Sequence, residues 1–236
     1  MSRVPTSKHD VHLWWSTVGE VEGTSGAARG PSVAFRRAKA WAACSSVVSA
    51  YGPRGRVVRV PGGRPTVTGV DLELSFAYAG PIVVIAVTRG RPIGIDVEPL
   101  SGRVDDSLAR HALAAPELEA FERLHPSLRR DALLRAWVRK EAVLKAAGVG
   151  LQIEPTRVET GVGRLTGEPV VVPGAGSFRL VDLGIEGFAG ALAAGGTAPV
   201  RIRWPCAPPV TADTAPLADA VRGSRGRSSR RPLLSA

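Results

Sequence analysis

Short apolar blocks dominate the first hundred positions, and helical spacing of apolar residues takes over in the next fifty. Residues 11–18 (VHLWWSTV) read as a first strand, and 20–31 is a Gly-rich polar loop. Ser32 is placed to cap a helix running to Tyr51, with Trp41, Cys44, Val48 and Tyr51 forming one apolar stripe and Gly52 ending it. Strands follow at 57–60, 72–78, 82–88 and 93–98, with a turn at 61–65. Arg89-Gly90-Arg91-Pro92 reads as the turn of a hairpin joining the last two strands. Helices are expected at 106–114, 116–124 and 130–147, the last stopped by Gly148 and Gly150. Strands return at 157–160, 170–172, 178–183 and 188–194. From Pro205 onward Pro, Ala, Ser and Arg replace any periodicity, the pattern of a disordered tail. The order predicts an α+β fold. Its expected units are an N-terminal half (1–100), a C-terminal half (101–204) and a basic tail (205–236).

Composition narrows this only a little. With 236 residues, 44% hydrophobic content and mean hydropathy of +0.05, the chain is long enough to bury a sizeable core. The formal charge is +10, and residues 201–236 hold seven Arg against two Asp. Such a balance favours an anionic ligand or an acidic protein partner. Nucleic acid is a weaker reading, because the basic tail has no interleaved aromatics and no base-reading motif. The two cysteines, Cys44 and Cys206, form no CxxC and have no nearby His, which fits a reducing cytoplasmic setting better than a disulfide or zinc framework. No apolar run approaches the length of a membrane span, the longest being 82–87, and the N-terminal stretch does not read as a signal peptide.

Two charged stretches carry the chemistry. In Gly94-Ile95-Asp96-Val97-Glu98, strand alternation turns Ile95 and Val97 to the core and puts Asp96 and Glu98 together on the other face, roughly 6–7 Å apart at their Cα atoms. Two hard oxygen donors at that spacing suit Mg²⁺, which shares itself readily with substrate phosphates. A solvated outer strand face has the same spacing. On the long helix Trp137, Glu141 and Lys145 repeat every four residues along one side. A Glu–Lys pair one turn apart is also the ordinary surface pair, although here it shares its side with a core Trp.

Taken together, the two stretches resemble the 4′-phosphopantetheinyl transferases, and most closely the larger single-chain type that primes carrier proteins of polyketide and nonribosomal peptide synthesis. The resemblance rests on GIDVE followed about 40 residues later by RAWVRKEAVLKAAG (135–148), on Gly63-Arg64-Pro65 in place of a Gly-Lys-Pro element, and on Ser75-Phe76-Ala77-Tyr78-Ala79-Gly80 in place of Ser-x-Ser-His-x-Gly. It runs from about residue 11 to 194.

The resemblance implies a pseudo-dimer of two αβ halves, each a helix packed on a small antiparallel sheet, with coenzyme A in the cleft between them. The implied reaction is transfer of phosphopantetheine from coenzyme A to a serine of an apo acyl or peptidyl carrier protein. By the same resemblance Asp96, Glu98 and Glu141 bind magnesium, and Glu141 is also the candidate base. Lys145 meets the α-phosphate, and Arg64 meets the 3′-phosphate region. Arg37 on the first helix is a further candidate for that phosphate. Two fused halves point to a monomer. The sequence departs from the pattern at Tyr78, where the family carries a His that contacts the phosphates of coenzyme A, and at Ala77 before it; the Tyr78 hydroxyl remains a candidate coenzyme A contact that can donate one hydrogen bond but carries no positive charge. That departure motivates an alternative, a non-catalytic relative that binds coenzyme A or a carrier protein.

Overall fold

The computed structural model describes residues 7–17, 33–60, 64–101, 107–163 and 167–204. The polar loop at 20–31, the Ser32 cap, Gly63 and the tail from 205 lie outside the described residues. Two four-stranded sheets and two long helices make up the core. The first sheet has the order β10-β1-β5-β4, built from β1 (Asp10–Thr17), β4 (Glu73–Ala79), β5 (Ile82–Thr88) and β10 (Arg201–Arg203). The second has the order β6-β9-β8-β7, from β6 (Ile93–Pro99), β7 (Val170–Val172), β8 (Gly176–Ile185) and β9 (Phe188–Gly195). A short ribbon of β2 (Arg56–Val58) and β3 (Thr66–Thr68) stands apart. The mixed content bears out the α+β expectation.

Side-chain alternation sorts the apolar residues into layers. Ile82, Val84 and Ala86 of β5 join Val11, Leu13, Ile95, Val97, Leu192 and Ala194 in one core shared by both sheets. Val83, Ile85 and Val87 face the other way, onto α1 (Val33–Tyr51) through Cys44, Val47, Val48 and Tyr51. On the far side of the second sheet, Ala189, Ala191 and Ala193 of β9 are small enough to let α4 (Pro126–Ala147) lie flat through Val138, Ala142 and Val143. Each sheet thus carries one long helix. The apolar run at 82–87 is a strand buried on both faces. Among the described residues no helix is long and apolar enough to cross a membrane.

Several expectations change. Residues 89–92 do not close a hairpin: β5 pairs with β1 and β4, while β6 pairs antiparallel with β9. The tight hairpin is β4–β5, turned at Gly80, whose φ of 53° is open to glycine at no steric cost. The expected strand at 157–160 is instead a 3₁₀ turn, Pro155–Arg157, followed by irregular chain. Strands β3 and β10 were not expected; each is only three residues long. The sheets also cross the division expected at residue 100, since β6 pairs within the second sheet and β10 pairs parallel to β1 in the first.

Helix α4 begins earlier than the expected residue 130, because His125 caps it and Pro126 occupies its first turn. It ends at Gly148, whose φ of 70° makes the left-handed cap. Two further short helices, α2 (Ser107–Ala112) and α3 (Ala115–Glu122), pack beside it.

Candidate active site

Strand β6 and helix α4 meet at unusually short range, and a glycine is the reason. A Cβ placed on Gly94 would lie 2.0 Å from the Ala142 carbonyl oxygen and 2.5 Å from the Ala146 nitrogen, so only glycine fits this crossing. The close approach sets the last two turns of α4 over the face of β6 that carries Asp96 and Glu98. Lys145 Nζ donates to Asp96 Oδ1 at 2.6 Å and to the Ile95 carbonyl at 3.3 Å. Asp96 is only 6% exposed, and its Oδ2 is buried with no hydrogen-bond partner.

Glu98 feels the charges of both Asp96 and Glu141, and Glu141 feels that of Asp96. Burial pushes Asp96 above the usual aspartate range, against the lowering by the Lys145 ammonium and the Val97 amide. Burial raises Glu98 as well, helped by the charges of Asp96 and Glu141 and opposed by Lys145. Glu141 is raised by burial and then by Asp96, again against Lys145. Like charges near Glu98 and Glu141 add to the effect of burial, and a cation added there would oppose both. Among the described residues no preformed cluster of three or more ligating side chains closes on a metal position. The donor set nonetheless fits a hard divalent ion: it consists of carboxylates only, and one buried oxygen of Asp96 is unsatisfied.

Beside this group opens a cleft of about 330 Å³, lined by Arg64, Ser75, Phe76, Glu141, Lys145 and Gly148 among others. Arg64 Nη1 donates to the Ala146 carbonyl at 3.3 Å, and Nη2 pairs with Glu73 at 3.0 Å. Ser75 Oγ accepts the Ile95 amide at 3.1 Å, which stitches the edge of the first sheet to β6. Asp96, Glu98, Glu141, Lys145 and Arg64 therefore gather in one neighbourhood. Tyr78 and Arg37 do not join them. Tyr78 is half-buried against the cluster under α1, and Arg37 is exposed on α1; neither is among the described residues lining the cleft.

The sequence reading missed the supports behind α4. Lys140 is 0% exposed; it pairs with Glu117 at 2.5 Å and donates to the carbonyls of Pro155 and Val158. Glu117 accepts the amides of Ala114, Thr160 and Gly161. Arg139 forks onto both oxygens of Asp182, at 2.8 and 2.6 Å, and donates to the carbonyls of Gly161 and Gly163. The signal was present: Arg139 and Lys140 fall at helical spacing with Ala136 and Val143, which places two cations on the buried stripe and calls for partners. Glu73 also went unread, although it holds Arg64.

No curated protein matches the chain. Residues 92–169, from the turn before β6 through α4 to the approach of β7, match the family model of the 4′-phosphopantetheinyl transferase superfamily. That span contains Asp96, Glu98, Glu117, Lys140, Glu141 and Lys145. By this match, the stretch that builds the carboxylate site is similar to the 4′-phosphopantetheinyl transferase superfamily.

Proposed function

We propose that the protein is a magnesium-dependent transferase of the larger single-chain type. It moves 4′-phosphopantetheine from coenzyme A to a serine of an apo acyl or peptidyl carrier protein of polyketide or nonribosomal peptide synthesis, releasing 3′,5′-ADP. The single observation that carries this reading is the gathering of Asp96, Glu98 and Glu141 from β6 and α4 around Lys145, with Asp96 Oδ2 left unpartnered.

Charge balance supports it. Among the described residues at and beside the cleft, the four acids Glu73, Asp96, Glu98 and Glu141 stand against the two bases Arg64 and Lys145. A diphosphate entering such a site requires a cation. Asp96, Glu98 and Glu141 would hold Mg²⁺, which when bound neutralises the diphosphate and the charge that grows on the leaving phosphate.

The chain's own groups supply the rest. Glu141, with its pKa raised by burial and Asp96, takes the serine proton directly or through one water. The serine oxygen forms a bond to the β-phosphorus while the bond from that phosphorus to the bridging oxygen breaks. The electron pair leaves with the α-phosphate. Lys145, already at the site, stands ready to exchange Asp96 for that phosphate and neutralise it. On this reading the two sheet-and-helix units would act as the two halves of a pseudo-dimer, with coenzyme A held between them.

Incubating the protein with Mg²⁺, coenzyme A and a panel of apo carriers should add the phosphopantetheine mass to at least one carrier. Asp96→Ala should remove that activity. Binding of coenzyme A with no carrier modified across the panel would support the alternative, a non-catalytic relative, which the Ala77-Tyr78 departure motivates.

A further inference from the structure

Arg64, which lines the cleft, is held in an ion pair that bears on ligand affinity. Arg64 and Glu73 are each about a third exposed, with side chains at 31% and 38%, and they meet at 3.0 Å through Nη2. Arg64 has a second, separate hold: Nη1 reaches the Ala146 carbonyl at the C-terminal end of α4, where helix carbonyls carry partial negative charge. Losing Glu73 therefore leaves the guanidinium tethered over the cleft with Nη2 free. A carboxylate and a phosphate compete for the same planar fork of donors.

We propose that Glu73 is an affinity-setting residue: its carboxylate occupies the anion-binding side of Arg64 and is displaced when a phosphate-bearing ligand enters. This inference rests on the reading of the cleft as a coenzyme A site. Its purpose is specificity. The pair raises the threshold for binding, so that a ligand must offer more than a weak anion to open it.

The test is a double-mutant cycle on coenzyme A affinity, measured by titration calorimetry in Mg²⁺ with wild type, Glu73→Gln, Arg64→Gln and the double variant. Thermal melts of the four free proteins check that each is folded, which exposed positions allow. A partly exposed pair of this kind shifts an equilibrium by about two- to fivefold. Glu73→Gln is expected to bind coenzyme A tighter by that factor, and Arg64→Gln to bind it more weakly. In the Arg64→Gln background the Glu73 change is expected to do nothing. Unchanged or weaker binding by Glu73→Gln overturns the proposal. So does a gain that persists without Arg64, since the charge would then act on the ligand through the general field. A wild-type protein that binds no coenzyme A at all overturns the function proposed above, and this inference with it.

Discussion

Removing Glu117 should test how α4 is held in place. Its carboxylate lies 2.5 Å from the Lys140 ammonium, with the pair at 5% and 0% side-chain exposure, and it accepts three backbone amides besides. Glu117→Ala leaves a fully buried cation uncompensated and those amides unmade. Breaking one side of a buried pair costs about 3–5 kcal/mol. With a urea m-value of about 3 kcal/mol/M for a chain of this size, the unfolding midpoint should fall by about 1–1.7 M. The double change Glu117→Leu with Lys140→Met removes the stranded charge, so it should cost less than Glu117→Ala alone. The pH dependence follows the same logic. Burial opposes the Glu117 carboxylate, but Lys140 and the Ala114 and Thr160 amides outweigh it and hold the group below the ordinary 4.5. A depressed folded pKa contributes stability above the unfolded value and loses it as pH falls through the folded one. Wild type should therefore lose this contribution below pH 4.5, and the Glu117→Ala variant should lack that part of the acid response. A midpoint shift worth less than about 1 kcal/mol, or a double variant as damaged as the sum of its singles, would refute the reasoning.

Other outcomes follow from the carboxylate group. Asp96, Glu98 and Glu141 all titrate above their usual ranges, so without metal their contribution to stability is present at low pH and lost as pH rises through the raised values. Mg²⁺ should accordingly raise the melting temperature more at pH 8 than at pH 5, as read by scanning fluorimetry. Glu141→Gln removes one of the crowded charges; the metal-free variant should melt higher than wild type at neutral pH while losing transfer. Gly94→Ala forces a Cβ into the backbone of α4, 2.0 Å from the Ala142 oxygen. Overpacking of this kind typically costs about 1–3 kcal/mol, and both a lowered melting point and lost transfer should report it.

The chemistry was more legible than the topology. Alternation in 94–98 placed Ile95 and Val97 in the core and Asp96 and Glu98 on the opposite face, and the structure agrees. Spacing on α4 placed Glu141 and Lys145 on one side, and Lys145 indeed reaches Asp96. Local rules could not tell that β6 leaves β5 for β9, because Arg89-Gly90-Arg91-Pro92 has the composition of a hairpin turn whichever strand follows it. Arg91 shows what the segment does instead: buried, it donates to the carbonyls of Lys8, Ala194 and Ala198 and pins the crossing between sheets. Strands as short as β3 and β10 gain their place from neighbours rather than from three residues of propensity. Glu117 lay 23 residues before Lys140 with nothing in the spacing to pair them.

The central claim is that the acids of β6 and α4 act on coenzyme A as one magnesium-dependent unit. The intact mass of an apo carrier protein tests it most directly, after incubation with the protein and coenzyme A in Mg²⁺, in EDTA, and with Glu141→Ala in Mg²⁺. The account predicts addition of phosphopantetheine in the first case alone. Addition in EDTA, or by Glu141→Ala at the wild-type rate, would contradict it.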